Sequence, residues 1–289
     1  MNVHEIGSRE AAAAIIEELS RRISERFPDH PFRGVNKANF ESVSADYLAM
    51  SIAFPFIQAG AMHETYKAAL RAGGDTDKNA EITGAVGAYL VWDEVGGHKL
   101  TLESGNEGLL QLPATRRNYH AHWLRQDLRA ILGKDVRPHR SPATARYLDQ
   151  LFDGLSDARG NRNVAFMIGF ESHAHAMITA LWDAVCASFD LPHDQRLVYF
   201  YGHVGGDEPA EAVHVEMTRM MVAELVPADR REEFIELCLE GYALNFNWCA
   251  AITANSARKA SETVTQVKHP LASAVALNGH AVWNHANVA

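Results

Sequence analysis

With 289 residues, 47% of them apolar and 22% charged, the chain can bury a sizeable core in one large domain or two small ones. A net charge of −9 and a pI near 5.9 make nucleic acid a poor partner, because phosphate binding needs a basic face. No apolar run reaches the ~18 residues of a membrane span, and Glu17 and Glu18 break the run in the N-terminal stretch that a signal peptide would need.

The elements read as helices almost throughout. Ser8 to Arg26 is amphipathic and stops before Pro28. Asn39 to Ala72 is long and mostly apolar, with Pro55 expected to kink it, and Gly73-Gly74 closes it. Ala80 to Val95 makes the next helix, ended by Gly96-Gly97. His98 to Thr115, with Gly105, Gly108 and Pro113, reads as a loop. Helices follow at Arg116–Leu132, Pro142–Phe152, Val164–Phe189, Glu211–Leu225 and Arg230–Trp248. Alternating β-branched runs with hairpin turns are missing, and no linker divides the chain. The expectation is a single all-α domain over residues 1–289, built as a bundle, with a loosely attached tail after Ser256. Cys186, Cys238 and Cys249 are widely spaced in apolar helical text, which argues against disulfides and thiolate zinc and for a reducing cytoplasm.

Carboxylates and histidines inside such helices are costly unless paired or metal-bound. Three stretches carry them. AYLVWDEVGG places Asp93-Glu94 after a run that should be buried. FMIGFESHAHAMITALW holds Glu171 on the face of Val164, Ile168, Ala174 and Ile178, with His173 and His175 expected off that face. YFYGHVGGDEPAEAVHVEMT spaces His203, Asp207, Glu211 and His214 at helical intervals, yet Gly205, Gly206 and Pro209 break the middle. Together they offer the donors expected of two oxygen-loving, imidazole-tolerant metals such as iron or manganese.

From Tyr47 to Met221 the chain resembles the heme-oxygenase-like diiron oxidases. The resemblance is carried by DYLAMSIAFPFIQAGA, DEVGG, GFES and YFxxH in that order. It implies a heme-oxygenase-like helical bundle holding two Fe2+ ions through a Glu, a His beyond it, a second Glu and a final HxxxDxxH. Glu94 and Glu171 fit the two glutamates, and His203 and Asp207 the first two positions of the last motif. Its third position falls on Ala210, so either His214 takes that role or the frame is Asp207-Glu211-His214. The early histidine falls in YHAHWLRQDLRAILG. His120 shares its face with Trp123, Leu124 and Ile131, whereas His122 shares one with Arg125, Gln126 and Arg129, so His120 is preferred. His98, His122, Glu211 and Asp46 are the alternates.

The resemblance further implies O2 as cosubstrate, an external electron donor, a small-molecule substrate in a biosynthetic pathway, and a homodimer. Arg116, Arg117 and Arg125 offer a carboxylate clamp, which favours an amino acid as that substrate. The competing readings are a metal-independent thiaminase-like enzyme or a heme-binding protein of the same fold, and a non-catalytic helical interaction protein.

Overall fold

The computed structural model describes residues 3–73, 78–104, 116–205 and 210–267. The chain is all-α, with no strand among the described residues. Its helices are α1 (Val3–Arg26), α2 (Phe40–Arg71), α3 (Lys78–Glu94), α4 (Gly97–Ser104), α5 (His120–Leu132), α6 (Pro142–Ser156), α7 (Arg162–Phe189), the single turn α8 (Val198–Phe200), α9 (Ala210–Leu225) and α10 (Arg231–Val267).

The boundaries follow local chemistry. Ser141 caps α6 by accepting the Thr144 N–H at 3.3 Å, and Pro142 occupies the first turn, where its missing N–H costs nothing. Gly133 ends α5 at φ 68°, donating its N–H to the Arg129 carbonyl. Gly96, at φ 80°, ends α3 and turns the chain directly into α4. A side chain at Gly96 would collide with Asn118, whose Cβ would lie 2.4 Å away. The stretch expected to be a loop from His98 therefore begins as helix α4, and residues 105–115 lie outside the described part. α10 continues past Ser256 to Val267, and residues 268–289 of the expected tail lie outside the described part.

α7 sits at the centre, against α10, α9 and α6, while α2 packs on α6, α3 and α5. Arg159–Phe189 is long and apolar enough to cross a membrane, with mean hydropathy 1.2, but 78% of its most apolar window is buried by the rest of the protein. It is the core helix, and truncating a fully packed residue such as Leu181 to Ala would cost about 2–5 kcal/mol. α7 and α10 touch backbone to backbone at Gly169, where a methyl would lie 2.6 Å from the Cys238 carbonyl oxygen and 2.8 Å from the Tyr242 nitrogen. Phe54 of α2 stacks on Phe170 of α7 with centroids 4.1 Å apart. These contacts fix Glu171, the residue after Phe170, in the interior.

Candidate metal centre

Five elements bring their polar side chains to one place. Asp93 and Glu94 come from the last turn of α3, His120 from the first residue of α5, Glu171 from the middle of α7, and His214 from α9. His203 stands in a π-turn, Tyr201–Gly205, directly after α8. Such turns widen the helix locally and recur at functional sites. Asp93, His120, Glu171, His203 and His214 are each no more than 4% exposed.

Glu94, His120 and His203 form the first half. Their donor atoms all lie within 4.8 Å of one another. His203 Nε2 is 3.2 Å from His120 Nδ1, which is 3.5 Å from Glu94 Oε1. The other nitrogen of His203 settles its tautomer: Nδ1 lies 2.7 Å from the Tyr199 carbonyl oxygen, so it must donate, leaving the Nε2 lone pair facing the cluster. A metal-binding imidazole is commonly held in this way. Burial and the charge of His120 push His203 down to about 4, so it is neutral and ready to ligate across the physiological range. Burial also pushes His120 down, but the Glu94 charge and hydrogen bond override it and raise its pKa above the ordinary value. Glu94 is affected reciprocally: burial pushes it up, while His120 holds it below the usual carboxylate range.

Asp93, His214 and Glu171 form the second half. His214 Nε2 is 2.9 Å from Asp93 Oδ2, and Nδ1 is 3.3 Å from Glu171 Oε2, so one imidazole bridges two carboxylates. His98 Nδ1 approaches the other Asp93 oxygen at 3.2 Å and the Tyr89 hydroxyl at 3.3 Å. Burial pushes the Asp93 carboxyl up, but the His214 hydrogen bond and the charges of His120, His214 and His98 outweigh it and hold it at about 2.

Glu94 and His203 of the first half and Glu171 and His214 of the second line one small cavity of about 30 Å³, room for roughly one or two waters. Glu94, Glu171, His203 and His214 form its polar wall. Met50, Phe54, Phe170, Ala174, Met177 and Ile178 form an apolar one, and Tyr47, Ser51 and Tyr199 add hydroxyls. Anionic oxygens and imidazole nitrogens converging in such a place suit a pair of divalent ions that prefer oxygen and nitrogen donors; no thiol lines the cavity.

Of the residues expected from the sequence, Glu94, His120, Glu171, His203 and His214 meet here, and His98 reaches the edge through Asp93. Asp207 and the side chain of Glu211 lie outside the described residues. Three expectations are corrected. Asp46 is not at the centre: its Oδ1 accepts the Ser141 N–H at 3.0 Å and the Thr144 hydroxyl at 2.6 Å, anchoring the start of α6. His122 turns to the Tyr119 ring, at 5.8 Å between centroids, rather than to the cluster. Arg116, Arg117 and Arg125 are exposed and do not line the cavity, as expected of cations that keep their hydration.

Asp93 was not selected as a site residue. The signal was present in the adjacent acidic pair, both members of which turn inward where α3 ends. His173, expected off the buried face, is 1% exposed. With His30 and Cys249 it forms a second triad whose donor atoms lie within 4.8 Å. His30 Nδ1 accepts the Phe32 N–H at 3.1 Å, so the His30 proton sits on Nε2 and is donated to His173 Nε2, 3.1 Å away. The His30–His173 bond joins the turn at Pro31–Gly34 to α7.

No family model and no curated protein matches the sequence. The chain is similar to the crystal structure of a CADD-like protein of unknown function from Nostoc punctiforme PCC 73102. The TM-score is 0.60 at 16% identity, over 85% of this chain and 98% of that one. At that identity the likeness shows the fold, a helical bundle, and nothing about activity.

Proposed function

We propose that the chain is a non-heme diiron oxidoreductase that uses O2 to oxidise a small substrate beside its two half-sites. The observation that supports this most is the pairing of the halves: Glu94 and His203 of the Glu94–His120–His203 group and Glu171 and His214 of the Asp93–His214–Glu171 group line the same small cavity. The resemblance to the heme-oxygenase-like diiron oxidases rests on the same Glu94, Glu171 and His203.

When bound, a pair of ferrous ions supplies the electrons and open coordination positions needed for O2 reduction, with an external donor restoring them. The chain's residues do the rest. His120, His203 and Glu94 would hold one ion, and Glu171, His214 and Asp93 the other. The Tyr199 carbonyl keeps the His203 lone pair aimed inward. Phe54, Phe170 and Met177 keep bulk water from the wall opposite the carboxylates, which strengthens every electrostatic interaction there. The Tyr47 and Tyr199 hydroxyls, 2.7 Å apart at the edge of the cavity, are placed to hydrogen-bond a guest.

The preference for an amino acid loses its support, because the three arginines stand outside the cavity. The lining favours a small substrate whose reacting part is largely apolar. The test is O2 uptake by protein loaded anaerobically with Fe2+. Consumption that follows the iron content and disappears in Glu94→Gln supports the reading; no uptake above that of free Fe2+ rejects it.

A further inference from the structure

Asp127 of α5 is 2% exposed, and three backbone N–H groups donate to it. Val198 N–H reaches Oδ1 at 2.9 Å, and Tyr199 and Phe200 N–H reach Oδ2 at 2.8 and 3.2 Å. These are the opening N–H groups of α8, which the helix cannot satisfy itself. The residue that should cap them, Leu197, makes no side-chain cap bond. A carboxylate from another helix does that work instead.

The consequence lies at the centre. Asp127 follows His120 by seven residues, about two turns, so both project from the same side of α5. Tyr199, whose N–H is bound by Asp127, turns its carbonyl to His203 Nδ1 at 2.7 Å. His203 then meets His120 at 3.2 Å. The ring closes from α5 through Asp127, Tyr199, His203 and His120 back to α5, and no member of it except the two histidines is a metal donor.

Resting on the reading of the site as a metal centre, we infer that Asp127 is a positioning residue for its Glu94–His120–His203 half. It fixes the register of the His203 turn against α5, so that His203 Nε2 and His120 Nδ1 converge before an ion arrives. Asp127 touches no ion; it acts through Tyr199.

The experiment uses the whole chain with Co2+ as a spectroscopic probe, comparing wild type, Asp127→Ala and Asp127→Asn. Stepwise titration in the visible ligand-field bands reads affinity and coordination, and imidazole 15N shifts of the metal-free protein read the His203 tautomer. Wild type is expected to show His203 protonated on Nδ1. Asp127→Ala should lose that fixed tautomer and bind one Co2+ about 10–100-fold more weakly, the usual effect of removing a group that orients a ligand. Asp127→Asn keeps one carbonyl oxygen for the N–H groups and should lose less, and it keeps the test readable where the alanine variant fails to fold. A lower melting temperature with unchanged affinity, bands and tautomer in the folded variants overturns the inference and leaves the centre standing. A wild type that takes up no Co2+ overturns both.

Discussion

His203 and His120, 83 residues apart in sequence, face each other at 3.2 Å under opposite influences: burial keeps His203 neutral, with its proton on Nδ1 toward the Tyr199 carbonyl, while the Glu94 charge raises the His120 pKa above its ordinary value. Metal uptake at this half must displace whatever proton His120 carries at the working pH.

Proton release follows directly. His120 is raised above its ordinary value, so below its folded pKa each ion bound there expels a proton, and above it the expulsion fades. Calorimetric titrations in buffers of different ionisation enthalpy should show more protons released per ion at pH 6.5 than at pH 8.5. Equal release at both would mean that His120 is not the displaced site. His203, pushed down to about 4, contributes nothing to that difference.

The two halves should be separable. Glu94→Gln or His203→Gln should remove one ion and leave the second, and Glu171→Gln or His214→Gln should do the reverse. Metal analysis after desalting reads this. A Glu171→Gln protein with unchanged metal content would take that carboxylate out of the centre.

Asp46→Ala should act on stability alone. It deletes the acceptor of the Ser141 N–H and the Thr144 hydroxyl, bonds to a buried charged group, and should lower the unfolding free energy by roughly 2–4 kcal/mol. Denaturant melts check the loss, and the metal content of the folded variant should equal that of the wild type.

Gly169→Ala should do both. The added methyl meets α10 backbone rather than a side chain that can swing away, so α7 must shift. The strain of overpacking is about 1–3 kcal/mol. Because Glu171 lies two residues on, the second half should also bind its ion more weakly. A variant of wild-type stability would show that α10 yields easily.

The helices were readable because their ends carry strong local chemistry: Ser141-Pro142, Gly133 and the run of apolar residues in α7 each admit one interpretation. Glu94, His120, Glu171, His203 and His214 were readable because buried polar residues stand out in apolar text. Asp93 is harder to read because adjacent helical residues point ~100° apart, so a helix facing the centre with Glu94 does not by itself turn Asp93 there. The chain end at Gly96 instead lets Asp93 meet α9 while Glu94 meets α5. His173 was misread for a different reason. α7 is covered on nearly every side, so periodicity had no exposed face to assign. Asp127 carries no pattern of its own, since its partners are backbone N–H groups more than 70 residues away.

If the two half-sites hold a pair of irons, anaerobic titration of the wild-type chain with Fe2+, removal of free metal and iron analysis return about two irons per chain, as in carboxylate-bridged helical bundles, falling to about one in Glu94→Gln. Retention of no iron, or equal iron in wild type and in a Glu94→Gln, Glu171→Gln double variant, would contradict it.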